Sequence, residues 1–333
     1  MGQPHNYEHK KNYYYFNCPI KTNSKQSHST YCLSYFFRVC AVILLFSSSA
    51  NGQGCSDAGF CSLNSIKASA DDSLSSKNNQ VKIGAFYGIA DNSISVWGNA
   101  LEYNREFSNK FVMDLKLTSL SQNGNGISAY GLSDIFLTGN YKPNDNLKFT
   151  IGAKIPFTNG NNKRNNVSLP MDYQSSLGTV DFLVAFGFKL KKFQLALAVQ
   201  QPITQNKNQF DVSDYPINSP IRQFQSTRNF IRSGDVFLRI SRPIAFTSKM
   251  KFTPGLLPIY HLSNDSYTDS SGTKREIAGS AGLTLNGNIS LDVELTTKST
   301  LQFSAAAPFI VRDTRPDGLT RSLIGVIEYS VRF

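Results

Sequence analysis

The sequence predicts an all-β fold: a transmembrane, antiparallel, up-and-down β-barrel of about twelve strands over residues 81–333. Three observations predict it. Apolar and polar residues alternate along successive segments of about ten residues, as in strands whose two faces meet different environments. Short turns alternate with mostly longer loops along the chain. The final segment, Leu323–Phe333, is an alternating strand that ends on an aromatic residue.

Twelve segments carry the two-residue period, and none has the apolar spacing of a long helix. A tight turn is indicated at Pro143–Asn146 and a Gly/Asn loop at Gln122–Ile127. The predicted strands are Val81–Gly88, Ser95–Phe107, Lys110–Leu120, Tyr130–Tyr141, Leu147–Phe157, Gly178–Leu190, Phe193–Ile203, Asn229–Ile240, Lys249–His261, Leu283–Leu295, Leu301–Val311 and Leu323–Phe333.

The alternation assigns the two faces of each strand to different solvents. In the segment Leu283–Leu295, odd-numbered residues are Leu, Ile, Val or Gly, and even-numbered residues are Thr, Asn, Ser, Asp or Glu. Lipid requires only one apolar face, so a spanning barrel can have a hydrophilic average, here a mean hydropathy of −0.26. Closing the sheet would leave no unpaired strand edge in the hydrocarbon.

The amino-terminal region has the layout of an export signal. The apolar run Val39–Phe46 is too short to span a bilayer, which needs about 20 residues. Arg38 precedes it and small residues follow it, which predicts Sec-type cleavage near Gly52/Gln53. We therefore expect a leader and signal peptide at 1–52, a flexible periplasmic arm at 53–80, and location in the outer membrane of a Gram-negative bacterium.

Composition narrows the function classes further. Of five cysteines, Cys55 and Cys61 would remain after cleavage, and a pair in an exported chain indicates a local disulfide, with two free thiols as the alternative. The formal charge is +11, of which the segment before Gln53 contributes +4 (five Lys/Arg against one Glu). The remaining +7 is thinly spread, with no Lys/Arg run interleaved with aromatics, so nucleic acid is not an expected partner. We expect no metal and no cofactor.

A weak internal repeat links the hairpins. Gly131–Asp134 and Gly178–Asp181 open descending strands with Gly-x-x-Asp, and partner strands end at Pro156, Pro202, Pro258 and Pro308. Together with the terminal Phe333, these motifs resemble the outer-membrane proteins associated with the meta-cleavage phenol-degradation pathway. The resemblance implies a barrel that passes small hydrophobic or aromatic solutes and brings no catalytic residues.

The polar faces are predicted to line the barrel with charges of both signs, either paired across strands or hydrated. The resulting channel would be narrow, because twelve strands lie between small packed barrels and wide porins. The predicted lumen-lining residues are Asp114, Lys116, Asp134, Lys154, Asp181, Lys189, Asp235, Arg239, Asp292 and Glu294.

Two other functions remain open. His261 and Ser263 resemble the His-x-Ser of outer-membrane phospholipases and lipid A deacylases, with Glu276 as a residue that could orient the imidazole. Against this, His261 shares parity with inward-facing positions, whereas a lipid hydrolase needs an outward site. The third possibility is a purely structural surface barrel.

The expected partners follow from the fold. They are outer-membrane lipid and lipopolysaccharide, a small-molecule solute, and the barrel-assembly machinery. Tyr329, Val331 and Phe333, on the apolar face of the last strand, are the predicted assembly signal.

Overall fold

The computed structural model describes residues 79–318 and 322–333. The leader and signal peptide predicted for residues 1–52 lie outside the described residues. So does nearly all of the arm predicted for residues 53–80, including Cys55 and Cys61. Within the described part, no helix is long and apolar enough to cross a membrane.

Twelve long strands form the wall of the molecule, and we number them in chain order. They are β1 Asn79–Ile89, β2 Ser95–Ser108, β3 Phe111–Gly124, β4 Ile127–Asn144, β5 Leu147–Pro156, β6 Asp181–Leu190, β7 Phe193–Pro202, β8 Asp235–Ser241, β9 Met250–His261, β10 Gly282–Glu294, β11 Ser299–Ile310 and β12 Leu323–Arg332.

Each strand pairs antiparallel with its neighbours in the chain, and β1 pairs with β12, so the sheet closes on itself. Closure satisfies the backbone donors and acceptors that an open edge would leave in the hydrocarbon. The predicted twelve-stranded, up-and-down antiparallel barrel is therefore confirmed.

Short additional strands and 3₁₀ helices lie at the two ends of the barrel. The short strands are Lys163–Arg164 with Val167–Ser168, Ser266–Thr268 with Lys274–Glu276, and Ile244–Ala245, which pairs with β9. The 3₁₀ helices are Met171–Tyr173, Val212–Asp214 and Pro220–Gln223.

Side chains alternate between a lipid-facing outer surface and the interior. On β3, Phe111 and Leu115 are exposed whereas Asp114 and Lys116 are buried. The same rule holds around the wall. Large outward side chains include Ile83, Leu101, Leu115, Leu137, Ile151, Phe182, Val184, Leu197, Val199, Leu256, Phe303 and Ile327.

Exposed aromatic side chains gather near the two ends of the outer surface, as in the interfacial girdles of membrane barrels. Near one end, Trp97 stacks on Tyr130 with ring centroids 6.1 Å apart. Near the other end, exposed aromatics include Phe107, Phe111, Tyr141, Phe193, Tyr329 and Phe333. The apolar band between these levels is the membrane-spanning zone.

The connections differ between the two ends. At one end of the barrel, which we call the terminal end, the first and last residues of the wall, Asn79 and Phe333, exchange backbone hydrogen bonds. The connections at the terminal end are 109–110, 145–146, 191–192, 242–249 and 295–298. The loop end holds 90–94, 125–126, 157–180, 203–234, 262–281 and 311–322. All of the longest connections are therefore on one end.

Several predicted boundaries need correction, among them the start of β6, which is at Asp181 and not at Gly178. β1 begins at Asn79, two residues before the predicted start. The loop expected at Gln122–Ile127 is a two-residue turn at Asn125 and Gly126, whose positive φ angles of 51° and 72° suit a tight hairpin. β8 begins at Asp235 instead of Asn229, because the preceding backbone bonds to loop residues: Ser233 N–H, for example, donates to the Asp265 side chain at 2.9 Å.

We expect a charge placed on the lipid face to destabilise the barrel. Ile151 lies near the middle of β5 with 59% of its surface exposed. Ile151→Arg should lower the free energy of unfolding by about 2–4 kcal/mol, because a guanidinium at mid-membrane loses its hydration. Urea unfolding in lipid vesicles measures this change in the free energy of unfolding.

The control is Ile217→Arg, at a loop position that is 87% exposed. It should change stability by no more than about 0.5 kcal/mol. Equal effects at the two positions would contradict the assignment of β5's outer face to lipid.

Candidate functional site

The barrel interior is the candidate site, and its half nearer the terminal end is lined by charges. The strand registers place Lys82 opposite Glu102, and Glu102 opposite Lys116, on β1, β2 and β3. Lys82 Nζ lies 3.8 Å from Glu102 Oε1, and all three side chains are buried. Alternating signs on neighbouring strands let these charges compensate one another.

Asp114 is the centre of an adjacent hydrogen-bond cluster. Its carboxylate accepts from Asn104 Nδ2 at 2.5 Å, from Asn140 Nδ2 at 2.7 Å and from Thr138 Oγ1 at 3.3 Å. Thr150 Oγ1 in turn donates to Asn140 Oδ1 at 2.7 Å. Four strands thus join through side chains inside the lumen.

A buried ion pair joins β5 to β6. Lys154 Nζ lies 2.9 Å from Asp181 Oδ2, and neither side chain has any exposed surface. Lys154 also donates to Thr179 Oγ1 at 3.2 Å, and Gln200 Nε2 donates to Asp181 at 2.5 Å. These extra hydrogen bonds help to offset the cost of removing both charges from water.

Apolar side chains also point inward, on β4 and β6–β9. We call this group the inner apolar patch, and all of its members are buried. The inner apolar patch interrupts the polar lining that strand alternation predicts for a water-filled lumen. The patch consists of Phe136, Leu183, Ala185, Ala196, Ala198, Phe237, Leu257 and Ile259.

Two long connections fold into the barrel at the loop end. The residues Leu169, Tyr173, Phe210, Ile221 and Phe224, which we call the loop plug, are buried against inward side chains of the wall. Those wall residues include Phe86, Val96, Leu120, Ile127 and Ala129, on β1–β4. The plug thus occupies one side of the lumen, across from the inner apolar patch.

Hydrogen bonds fix the plug to the wall. Tyr173 Oη donates to the carbonyl of Gly124 at 2.9 Å, and Asn125 Nδ2 donates to Tyr173 Oη at 3.1 Å. Gln122 Nε2 donates to the Gln174 carbonyl at 2.6 Å. The plug is therefore a defined part of the interior.

A second ionic cluster lies at the loop end of β8 and β9. Arg232 pairs with Asp235, and His261 Nδ1 lies 2.7 Å from Asp235 Oδ1. His261 Nε2 lies 2.8 Å from Asp265 Oδ1. Because both ring nitrogens face carboxylate oxygens, only the doubly protonated imidazole donates to both.

Two further residues extend the cluster into the 311–322 connection. Arg312 Nη2 lies 3.0 Å from Asp317 Oδ2, and Arg232 Nε lies 3.8 Å from the same oxygen. Burial opposes ionisation of Asp317, but these guanidinium groups hold its pKa below the usual range. The cluster therefore ties three outer connections to the wall.

The hydrolase arrangement is not assembled. His261 does not contact Ser263, because both of its ring nitrogens bond to aspartates. Ser263 Oγ instead donates to Ser233 Oγ at 2.9 Å, and Glu276 is exposed on the short strand Lys274–Glu276. A doubly protonated imidazole has no lone pair with which to activate a serine. The alternative based on these three residues therefore lacks its geometry.

Asp172 is a titrating group in the plug region. Burial of its carboxyl, together with the nearby carboxylates of Asp91 and Asp317, raises the pKa of Asp172 to about 7. Arg315 opposes this shift and also pairs with Asp91. A carboxyl with this pKa changes charge near neutral pH.

The predicted lumen residues fall into three groups. The fully inward, buried ones are Asp114, Lys116, Asp134, Lys154, Asp181 and Asp235. The half-buried ones are Lys189, Arg239 and Asp292, and Glu294 is exposed at the rim of the terminal end. Tyr329, Val331 and Phe333 lie along the outer face of β12 and beyond it, and their role in assembly stays a prediction.

Sequence reasoning missed several residues of the interior. Lys82 and Glu102 carry the two-residue period, which could have identified them. The plug residues and Arg232, Asp265 and Asp317 lie in irregular connections, where no periodic signal exists. Within residues 79–318 and 322–333, no group of three or more His, Cys, Asp or Glu side chains could hold a metal ion.

Comparison with solved structures defines the class. An outer membrane channel from Pseudomonas putida F1 superimposes with a TM-score of 0.54 at 13% sequence identity, covering 80% of this chain and 99% of that chain. This similarity shows the fold alone: the protein has the architecture of an outer-membrane β-barrel. No family model matches the chain, and no curated protein matches its sequence.

Other barrels are more distant. The NanC porin has a TM-score of 0.42 at 12% identity and covers 77% of this chain and 98% of that chain. Outer membrane phospholipase A from Escherichia coli has a TM-score of 0.35 at 6% identity, and the match covers 76% of this chain and 92% of that chain. Similarities at this level do not discriminate between channel and enzyme.

Breaking the Lys154–Asp181 pair should destabilise the barrel. Lys154→Met leaves the Asp181 carboxylate buried without its cation, which should cost about 3–5 kcal/mol. The double variant Lys154→Met, Asp181→Leu should recover most of that loss, because no uncompensated charge remains. Urea unfolding in vesicles provides the values.

Lys163→Met, at an exposed loop lysine, serves as the control and should be close to neutral. A double variant no more stable than Lys154→Met would argue against charge compensation as the role of this pair.

The raised pKa of Asp172 predicts a pH effect on stability. Between its usual pKa of 3.8 and about 7, the folded state keeps a proton that the unfolded state has released. Stability should therefore fall as pH rises through this window. Asp172→Asn should remove that component in unfolding measurements made at several pH values.

Asp145→Asn, at an exposed turn on the terminal end, is the matched control and should retain the wild-type pH profile. An unchanged profile in Asp172→Asn would show that this carboxyl is not the group responsible.

Proposed function

We propose that the protein is a passive channel in the outer membrane of a Gram-negative bacterium, selective for small apolar solutes, aromatic ones included. The inner apolar patch carries the proposal. Phe136, Phe237 and Ile259 lie on the inner face of a wall whose neighbouring inward positions are polar. An apolar solute requires apolar contacts along its path, and these side chains would supply them.

The arrangement of loops supports a selective channel over an open pore. The loop plug fills one side of the lumen, which leaves the inner apolar patch facing a restricted space. The narrow interior of a twelve-stranded barrel also favours a selective channel over an open pore. The superposition with the Pseudomonas putida channel, and the resemblance to phenol-pathway barrels, are consistent with this class.

Orientation follows from the asymmetry of the ends. Membrane barrels carry short turns on the periplasmic side and long loops outside. The terminal end would therefore face the periplasm, and the plug would meet solutes arriving from the exterior. Lipopolysaccharide and phospholipid would contact the outer surface, and the assembly machinery would read Tyr329, Val331 and Phe333. Export through the predicted signal, cleaved near Gly52/Gln53, is part of the same proposal.

The test is solute entry into vesicles with lipopolysaccharide in the outer leaflet, since bare phospholipid admits apolar solutes without help. The probe is N-phenylnaphthylamine, an uncharged aromatic whose fluorescence rises in hydrocarbon. Purified protein should accelerate its entry, and a naphthalenesulfonate of similar size should enter more slowly. Leu183→Ser should reduce the acceleration, because a hydroxyl interrupts the inner apolar patch, whereas Leu183→Ile should preserve it.

Two outcomes contradict the proposal. Entry no faster than in protein-free vesicles would favour a structural barrel. Equal acceleration of the uncharged and the sulfonated probe would indicate an unselective pore, in which the inner apolar patch has no part.

A further inference from the structure

The pairing between β8 and β9 is interrupted twice. Asp235–Phe237 pair with Ile259–His261, and Ile240–Ser241 pair with Gly255–Leu256 in the same unshifted register. Ile244–Ala245 then pair with Lys251–Phe252, again without a shift. Two gaps of two residues each therefore separate three short stretches of ladder.

Each gap lies opposite a proline of β9. The unshifted register places Pro258 opposite Leu238, and Pro254 opposite Arg242. Proline has no backbone N–H, so it cannot donate to the ladder. Arg242 N–H donates to the Pro254 carbonyl at 3.0 Å, which shows that Pro254 faces β8.

The N–H groups that Pro254 and Pro258 lack would both have pointed to β8, at the line of pairing between β8 and β9 that we call the β8–β9 seam. Backbone groups of alternate residues in a strand point to the same neighbour, so Pro258 faces β8 as Pro254 does. On the opposite side, β9 pairs with β10 without a break from Met250 to His261. β8 is also short, with seven residues. The β8–β9 seam therefore has fewer hydrogen bonds to lose on separation than an unbroken seam such as β6–β7, which pairs continuously.

Apolar side chains meet at the first gap from both faces of the wall. On the inside, Phe237, Leu257 and Ile259 belong to the inner apolar patch. On the outside, Leu256 and Tyr260 are exposed on the lipid-facing surface. Arg239 also lies on the inner face at this gap, so an apolar solute that crosses here would pass a mostly apolar set of side chains and one charge.

The alternative route, straight through to the terminal end, is polar. That half of the lumen is lined by Lys82, Glu102, Asp114 and Lys116, all buried in compensated contacts. An apolar solute would gain nothing from these groups and would have to displace their partners.

We propose that apolar solutes leave the lumen sideways, between β8 and β9, into the bilayer. This inference rests on the proposed function and specifies its exit. In this structure the exit is closed: Phe237, Leu257 and Ile259 are buried, and the His261–Asp235 contact clamps the two strands at the loop-end side of the first gap. Separation of the strands at the gap opens it.

A reversible cross-link across the gap tests the proposal. The register places Arg239 opposite Leu257 in the first gap, as a pair without mutual hydrogen bonds. Such pairs have Cα atoms about 4.5 Å apart, within the range that a disulfide spans. The double variant Arg239→Cys, Leu257→Cys is reconstituted in vesicles with lipopolysaccharide in the outer leaflet. N-phenylnaphthylamine entry is then measured before and after reduction.

The control is the double variant Ala85→Cys, Asn99→Cys. These residues lie directly opposite each other on the unbroken β1–β2 seam, and they are exposed on the outer face, away from the inner apolar patch. Oxidation should abolish accelerated entry through the Arg239→Cys, Leu257→Cys protein, and reduction should restore it. The control should be equally active in both redox states.

The outcomes separate this inference from the proposed function. If both reduced proteins and the wild type fail to accelerate probe entry, the channel proposal itself fails. If they accelerate it and oxidation of the β8–β9 pair changes nothing, the lateral exit is wrong while the channel stands. Loss of activity on oxidising the control pair would likewise overturn a route specific to β8–β9.

A second variant tests the same seam without a cross-link. Pro258→Ala restores the missing N–H and should slow probe entry, because the first gap gains a hydrogen bond. Pro308→Ala, in β11 opposite Asn286, is the matched control and should leave entry at the wild-type rate. An unchanged rate in Pro258→Ala would count against the gap as the site of opening.

Discussion

A backbone hydrogen bond left unmade in hydrocarbon costs several kcal/mol, and this constraint governs the architecture of the whole chain. It explains why twelve strands close through β1 and β12 instead of ending in an open edge. It also explains why irregular backbone is confined to the two ends of the wall. Prolines inside the wall are then informative, because each removes a donor where donors matter most. Pro254 and Pro258 both withdraw theirs from one seam.

The same requirement, that polar groups removed from water have partners, applies to the side chains of the interior. Charges inside a narrow barrel are stable only when partners satisfy them, and the structure supplies those partners across neighbouring strands. Lys154 and Asp181 form one such pair, and Asp114 receives three donors. Because these groups are engaged with one another, they contribute a rigid lining more than a set of free binding groups.

The wall could be predicted from the sequence because its physics is local. A two-residue period assigns Asp114 inward and Leu115 outward without knowledge of any neighbour. The two-residue turn at Asn125 and Gly126 was missed because a Gly/Asn stretch also suits a longer loop. The loop plug and the inner apolar patch were not predicted as groups. Phe210 and Phe224 carry no periodic signal, and their burial depends on how the connections fold back into the lumen.

His261 shows how place in the fold decides the role of a residue. Beside Ser263 in the sequence it suggests catalysis, yet its ring bonds to Asp235 and Asp265. Three buried aspartates in this cluster face two arginines, Arg232 and Arg312, so a protonated imidazole balances the charge. That cation joins β8 to β9 next to the proline gap. A side-chain contact therefore joins the two strands beside the stretch where their backbone ladder is interrupted, and in the lateral exit proposed above it is the contact that would have to break.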